Sequence, residues 1–190
     1  MKIDTFSEAL DFVLDHEGRI DEDVPGDPGG KTHWGITQDD WAAYCRAKGL
    51  VFKDVSLMTQ IEVQDVYVAH YWKPMRCASL QVRGFPRTAL VLFDGAVNQG
   101  SGFMAKALQR VLGVIADGEI GPKTEAALWN YLEKHGDMKM ASALMVRRAD
   151  RYRAIISANP VLEKFRKGWF NRLSHLQDEL EAGQDESGED

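Results

Sequence analysis

Apolar residues near the start of the chain recur at the spacing of one helix face. The first set follows the pattern i, i+3, i+4, i+7, i+8 and consists of Phe6, Ala9, Leu10, Val13 and Leu14. This spacing predicts an amphipathic helix. Thr5, with Glu8 three residues later, has the form of a capping box at the helix start, and Gly18 is suited to the helix end.

Glu17 departs from this pattern. It follows Val13 by four residues and Leu14 by three, so helical geometry places it on the buried side of the last turn. Desolvation disfavours the charged form of a carboxyl group and raises its pKa, which is what a general acid requires. The simpler interpretation, a partly exposed residue at a helix end, stays open beside this one.

A turn-rich segment and a short β-like segment come next. Residues 18–30 are rich in glycine, proline and aspartate, which favours tight turns over a helix. The sequence THWGIT then alternates and is rich in β-formers, so it predicts a short strand. Thr37 and Asp40 have the spacing of an N-cap, which predicts that a second helix begins there.

The remaining chain is helical in pattern. Thr59 with Glu62 predicts a capped helix start, and Asn159-Pro160 separates the last two predicted helices. The helical segments are IEVQDVYVAHYW, PRTALVLFDGAVNQG, SGFMAKALQRVLG, PKTEAALWNYLEKHG, DMKMASALMVRRADRYRAIISA and PVLEKFRKGWFNRLSHLQDEL. The predicted fold class is therefore mostly α, with a small loop or β-hairpin element near the N-terminus.

The composition of the sequence limits the kinds of protein that it can encode. The 190 residues are 44% hydrophobic and 27% charged, which suits one ordinary core or two small ones. No signal-peptide pattern and no apolar run of about 20 residues is present, so we expect synthesis in the cytoplasm without a signal peptide. Cys45 and Cys77 lie far apart outside any CxxC motif, which favours buried free thiols.

The acidic character is concentrated at the C-terminus. Seven acids lie in the final segment DELEAGQDESGED, and the remaining residues hold 23 basic against 22 acidic side chains. We expect no binding to nucleic acid, because no basic stripe is apparent. We also expect the protein to be a monomer. Five scattered histidines lack metal-ligand spacing, which disfavours a zinc amidase, and we expect no metal and no cofactor.

Cleavage of a glycosidic bond needs an acid and a second group that stabilises the transition state or activates water. The polar loop offers Asp21, Asp23 and Asp27 for the second role, and Thr32 and Thr37 could position a water molecule. The choice among Asp23, Asp27 and Thr32 stays open from the residues alone.

The same region resembles a known family. The family 108 glycoside hydrolases carry the pattern E-G-G-Y, a short loop and D-P-G-G-x-T-x-x-G-I-T. The matching residues here are Glu17, Gly18, Asp27, Pro28, Gly29, Gly30, Thr32, Gly35, Ile36 and Thr37. Arg19 and Ile20 depart from the pattern, which has glycine and tyrosine there.

The resemblance implies a lysozyme-like fold and an N-acetylmuramidase that cleaves the β-1,4 bond between N-acetylmuramic acid and N-acetylglucosamine in peptidoglycan glycan strands. It implies that Glu17 is the acid, that Asp27 stabilises positive charge or orients water, and that Thr32 assists. The segments HYW, LFDGAVNQGSG and RKGWFNRL also resemble parts of family members.

Other residues are candidates for substrate binding. Asp94, Asn98 and Gln99 are polar positions on an otherwise apolar helix, which predicts a hydrogen-bonding cleft wall. Trp34 and Trp72 could stack on sugar rings, although aromatic residues at helical spacing are more often part of a core.

The segment DGEIGPKT resembles the D-G-x-x-G-P-x-T turn of peptidoglycan-binding modules. The same residues are ordinary turn signals, and we favour that interpretation because no linker separates the two halves. We therefore predict a single lysozyme-like domain over residues 1–178, with a catalytic part at 1–97, a C-terminal helical part at 98–178, and a disordered acidic tail at 179–190.

Two other functions are compatible with the sequence. A peptidoglycan-binding protein without activity would explain Arg19 and the atypical loop, and a wall amidase or peptidase is a further alternative. The resemblance implies a phage endolysin released to the cell wall through a holin-type pore, with prophage, phage-derived particle and secretion-system settings also open.

Overall fold

Helices make up most of the part of the chain that the structure covers. The computed structural model describes residues 5–17 and 31–182, without the side chain of Glu17. The helices in these ranges are α1 (Phe6–Glu17), α2 (Gln38–Lys48), α3 (Gln60–Tyr67), α4 (Cys77–Val82), α5 (Pro86–Gln99), α6 (Ser101–Leu112), α7 (Pro122–His135), α8 (Asp137–Ala158) and α9 (Arg166–Glu181). Two short strands, β1 (Thr32–His33) and β2 (Ile36–Thr37), pair antiparallel. The prediction of a mostly α fold with a small hairpin near the N-terminus is confirmed.

The helix starts follow the predicted capping residues. At α1, the Thr5 backbone N–H donates to the Glu8 carboxylate at 2.9 Å, and the Glu8 N–H donates to the Thr5 hydroxyl at 3.3 Å. Thr59 and Glu62 form the same reciprocal pair at the start of α3. These bonds satisfy backbone donors that a helix start leaves without partners.

The chain divides into two compact units. Among the described residues, the small unit comprises 10–17 and 31–70, and the large unit comprises 5–9 and 71–182. The small unit holds most of α1, the β1–β2 hairpin, α2, a 3-10 turn at Val55–Leu57 and α3. The large unit holds α4 to α9.

Helix α5 is the centre of the large unit. Every residue from Thr88 to Ala96 is buried, and α5 contacts α4, α6 and α8. A helix that is buried all round must pack on several neighbours, which is why its segment ALVLF is continuously apolar instead of periodic. At Gly95 the neighbouring helix comes very close, because a Cβ atom there would lie 2.5 Å from the Met104 Sδ atom.

Three segments differ from the predicted elements. The helix predicted through IEVQDVYVAHYW changes at Val68–Trp72 into a π-helical turn, which apolar periodicity does not signal. Residues Pro160–Phe165 form a 3-10 helix before α9, with the Asn159 side chain accepting from the Val161 N–H at 3.3 Å. The short helix α4 was not predicted, since six residues are too few to show a period.

The end of α9 differs from the expected tail. The helix continues to Glu181, Leu180 is buried, and the Leu180 carbonyl accepts from the Arg87 Nε at 2.8 Å. Residues 179–181 therefore belong to the helix, and the last eight residues lie outside the described part.

Cys45 and Cys77 are buried free thiols, as predicted, and burial raises the pKa of both. Within residues 5–17 and 31–182, no helix combines the length and the apolar character that crossing a membrane requires.

Candidate active site

Helix α1 carries the proposed acid at its end. Glu17 is the last residue of the helix, and Leu10, Val13 and Leu14 on the preceding turns are all less than 5% exposed. The predicted helical phase of this segment is therefore confirmed up to Glu17. The Glu17 side chain, together with Arg19, Asp21, Asp23 and Asp27, lies outside the described residues, so their predicted roles stay predictions.

The β1–β2 hairpin forms the next part of the site. Its register pairs Thr32 with Thr37 and His33 with Ile36, so Trp34 and Gly35 make a two-residue turn. The backbone φ angles are +51° at Trp34 and +72° at Gly35. Positive φ at both central positions defines a type I′ turn, whose twist matches the flanking strands. A tryptophan at positive φ is strained, and such strain persists only where surrounding contacts impose it.

Tyr67 supplies one of those contacts. Its hydroxyl donates a 2.9 Å hydrogen bond to the Trp34 backbone carbonyl. Tyr67 is buried on α3, so a rigid helix of the small unit holds the tip of the hairpin.

Lys31 anchors the other end of the hairpin. Its Nζ donates to the Asp54 carboxylate at 2.8 Å and to the Ser56 hydroxyl at 3.1 Å. The Lys31 carbonyl accepts from the Gln38 N–H at 2.9 Å, and the Gln38 side chain accepts from the Val55 N–H at 2.8 Å. These bonds tie the start of β1 and the start of α2 to the same 3-10 turn.

The hydrogen bond from Lys31 also has a large effect on the pKa of its partner, Asp54. The hydrogen bond from Lys31, helped by those from Ser56, lowers the pKa of Asp54 to about 2. Asp54 is therefore a fixed anion that supports the hairpin, and it is poorly suited to hold a proton for acid catalysis near neutral pH.

The hairpin places the two predicted threonines directly opposite each other. Thr32 on β1 faces Thr37 on β2, and both are half-buried. The Thr37 hydroxyl accepts from the Asp40 N–H at 3.1 Å and donates to the Asp40 carboxylate at 2.8 Å. Thr37 is thus the predicted N-cap of α2. Its hydroxyl, which was also a candidate for positioning water, is used in these capping bonds.

Asp94 lies in the interior of the large unit, which corrects the expectation of a cleft wall there. Its side chain is 0% exposed and lies 2.6 Å from Arg148 and 2.6 Å from Arg172. Burial alone would raise the pKa of Asp94, but the two guanidinium groups outweigh it and hold the pKa below its usual value. The carboxylate therefore forms a buried ion cluster that joins α5, α8 and α9.

Asn98 and Gln99 extend this polar seam along α5. The Tyr152 hydroxyl donates to the Asn98 side-chain oxygen. Gln99 accepts from the Arg148 Nε at 3.0 Å and donates to the Arg148 carbonyl at 3.2 Å. Asn98 and Gln99 of α5 thus find hydrogen-bond partners on another helix. Such bonds offset the cost of removing a polar group from water.

Trp72 is also an interior residue, contrary to the expectation that it stacks on sugar. It is 5% exposed, and its ring lies 5.1 Å from the Phe6 ring and 5.1 Å from the Phe93 ring, both in edge-to-face geometry. Aromatic rings prefer this geometry in cores. Trp34, by contrast, is half-buried at the hairpin tip, with its ring 6.1 Å from that of His33.

Comparison with known proteins shows which families and structures the chain resembles. Residues 10–100 match the family model Glycosyl hydrolase 108. The N-terminal half of the chain is therefore similar to the glycosyl hydrolase 108 family. This range contains most of α1, the hairpin and the segment of the predicted motif, so the resemblance that the sequence carries is confirmed.

The chain has a second match over residues 104–174, to a family described as Predicted Peptidoglycan domain. The two matches together identify a peptidoglycan hydrolase. A solved structure, "Structure of Brucella abortus SagA", is 28% identical with a TM-score of 0.71, and the alignment covers 97% of this chain and 98% of that one. No curated protein sequence matches the chain.

The second match includes the DGEIGPKT segment of the hydrolase. Gln109 is fully buried and donates to Asp117 at 2.6 Å, while the Gly118 N–H donates to the Gln109 side chain at 2.9 Å. Gly118 has a φ of +95°, and Pro122 opens α7. The predicted turn is present, but the match supports the resemblance to a peptidoglycan-binding module, which was the less favoured of the two interpretations of this segment.

Sequence reasoning missed the supports of the hairpin and a set of cations in the large unit. Asp54 and Tyr67 carry no local pattern that links them to the hairpin, since they follow it by about twenty residues or more. The cations Lys106, Arg110, Arg147 and Arg151 occur as two pairs with i, i+4 spacing, a signal that marks one helix face. Within the described residues, no group of three histidine, cysteine or acidic side chains is placed to hold a metal ion.

Proposed function

We propose that this peptidoglycan hydrolase is an N-acetylmuramidase that cleaves the β-1,4 bond between N-acetylmuramic acid and N-acetylglucosamine. Glu17 donates a proton to the leaving glycosidic oxygen. Asp27 stabilises the positive charge of the oxocarbenium-like transition state or orients the attacking water, with assistance from Thr32. Trp34, at the hairpin tip, contacts the sugar chain.

The observation that carries the proposal is the position of Glu17 in the family match. It ends an amphipathic helix whose buried residues include Val13 and Leu14, and it begins the motif that leads into the hairpin. A carboxyl group beside an apolar helix face is partly desolvated, which raises its pKa toward the range where a general acid still holds its proton.

Replacement of the acid tests this assignment. Glu17→Gln keeps the shape of the side chain but cannot donate a carboxyl proton, so we expect release of reducing ends from purified cell walls to fall by at least about 100-fold. Asp11→Asn, an exposed position on the same helix, is the matched control and should retain activity. Full activity of a folded Glu17→Gln variant would rule out this role.

Mass spectrometry of the released fragments separates the alternatives. A muramidase releases fragments with a new reducing N-acetylmuramic acid and intact peptides, whereas an amidase or peptidase leaves the glycan uncut and shortens or frees the peptides. A peptidoglycan-binding protein without activity would bind purified walls and release no fragments.

We further propose that the enzyme acts as an endolysin on the periplasmic face of a host cell. Co-expression with a holin-type pore should then cause lysis that the Glu17→Gln variant abolishes. Lysis of equal extent by both proteins would contradict this role without bearing on the bond that the enzyme cleaves.

A further inference from the structure

A pocket lies between α6 and α8 in the large unit. Its volume is about 630 Å³, and Gln99, Phe103 and Ala154 are among the residues that line it. This size falls in the range of about 300–1,000 Å³ that small-ligand sites occupy. Most of α6 and all of α8 belong to the region that matches the Predicted Peptidoglycan domain.

The pocket is strongly cationic in a protein whose net charge is −6. Lys106 and Arg110 line it from α6, and Arg147 and Arg151 line it from α8. Asp150 is the acidic residue of the same lining, and it pairs with Arg153 at 2.9 Å on the exposed surface. Lys106, Arg110 and Arg147 are exposed, and no ion pair joins any of them to another described residue.

Arg151 is held differently from the other three cations. Its guanidinium lies over the Phe103 ring, 4.3 Å from the centroid. Its Nε atom is buried and has no hydrogen-bond partner among the described residues. A buried donor without a partner is uncommon in a native protein. Arg151 is also one of the residues that line the pocket.

We propose that this pocket binds the carboxylates of the short peptides attached to peptidoglycan glycan strands. Guanidinium groups form paired, charge-assisted hydrogen bonds with carboxylates, which favours arginine where planar acceptors are recognised. Peptidoglycan peptides carry more carboxylates than amines, and Asp150 beside the cations can accept from an amine of the same peptide. The assignment rests on the proposed muramidase function, since it places the peptide of the same polymer in a second site.

A charge-neutralising double variant tests the pocket. Arg110→Gln with Arg147→Gln removes two exposed cations that line it, and Lys123→Gln with Lys134→Gln removes two exposed cations of α7 that do not. Calorimetry with a purified disaccharide-peptide as the probe should show binding about tenfold weaker for the pocket variant and unchanged for the control. Lys106→Glu is a second variant that reverses one pocket charge and should also weaken binding.

Hydrolysis provides a measurement that separates the two proposals. On peptide-bearing peptidoglycan the pocket variant should show a higher KM with unchanged kcat, and on glycan strands stripped of peptide it should match the wild type. If the wild type cleaves neither substrate, the muramidase proposal fails, but the calorimetry still tests the pocket. Equal binding of the peptide by the pocket variant and the control, or tighter binding of inorganic phosphate than of the peptide, would overturn the assignment.

Discussion

At the scale of single residues, Trp34 combines a strained backbone with a half-buried side chain. Its φ of +51° lies in a region that costs a non-glycine residue about 1–2 kcal/mol, and the Tyr67 hydroxyl holds its carbonyl. A chain selected only for stability would place asparagine or glycine before Gly35, because these residues suit a type I′ turn. The tryptophan therefore indicates a role for the side chain, and substrate contact is the role proposed above.

Trp34→Asn separates strain from function. The resulting Asn-Gly turn is the preferred type I′ pair, so we expect the free energy of unfolding to stay the same or rise by up to about 1 kcal/mol. We expect hydrolysis of cell walls to fall about tenfold, because a stacking surface is lost. Urea unfolding and reducing-end release measure the two effects. A marked loss of stability would show that the ring is chiefly a packing residue.

At the scale of secondary-structure elements, the hairpin and α5 illustrate two ways in which local sequence is constrained. The hairpin has four strand residues and depends on Lys31 and Tyr67 to hold both its ends. Helix α5 is buried over nine consecutive residues, so its constraint is the space that neighbouring helices leave. At Gly95 that space has no room for a Cβ atom unless Met104 shifts.

Gly95→Ala tests the close approach of α5 and α6. The added Cβ would lie 2.5 Å from Met104 Sδ and 3.0 Å from Met104 Cγ, so the whole buried side chain must shift. We expect the free energy of unfolding to fall by about 1–3 kcal/mol. Gly168→Ala, in α9 with no atom within 4 Å of the added Cβ, should instead raise it by about 0.5–1 kcal/mol. Two changes of the same sign in urea unfolding would contradict this account.

At the scale of the whole molecule, contacts between residues far apart in sequence hold the large unit together. Arg172 donates to Asp94 from 78 positions away, and the Arg87 N–H donates to Asp137 at 2.8 Å. The Asp94 cluster brings two arginines and one carboxylate into the interior, where removal of the carboxylate leaves charges without compensation.

Asp94→Asn should therefore lower the free energy of unfolding by about 3–5 kcal/mol at neutral pH. The pKa of Asp94 is lower in the folded chain, so its contribution is present above the unfolded value of about 3.9 and is lost as pH falls toward the folded value. Wild-type stability should decline below about pH 4 more steeply than that of the variant. Thermal unfolding from pH 7 to pH 3 measures both, and parallel curves would exclude Asp94 as a source of the acid sensitivity.

Local sequence predicted much of this protein because its signals act over a few residues. The period of Phe6 to Leu14 predicted α1 with Glu17 at its end, and the side chains of Thr5, Thr37 and Thr59 predicted three helix starts. The motif after Glu17 also indicated the family. Capping and helical phase depend on neighbours within about four positions, so one sequence suffices to detect them.

Tertiary structure decided where the polar side chains of the longer helices point. Asp94 and Trp72 were candidates for contact with sugar, yet both lie in the interior. Arginines from distant helices pair with Asp94, and aromatic rings pack against Trp72. The two cationic pairs lie on α6 and α8, and they line one pocket because these helices pack against each other. Such juxtapositions depend on contacts between residues tens of positions apart, which no local spacing encodes.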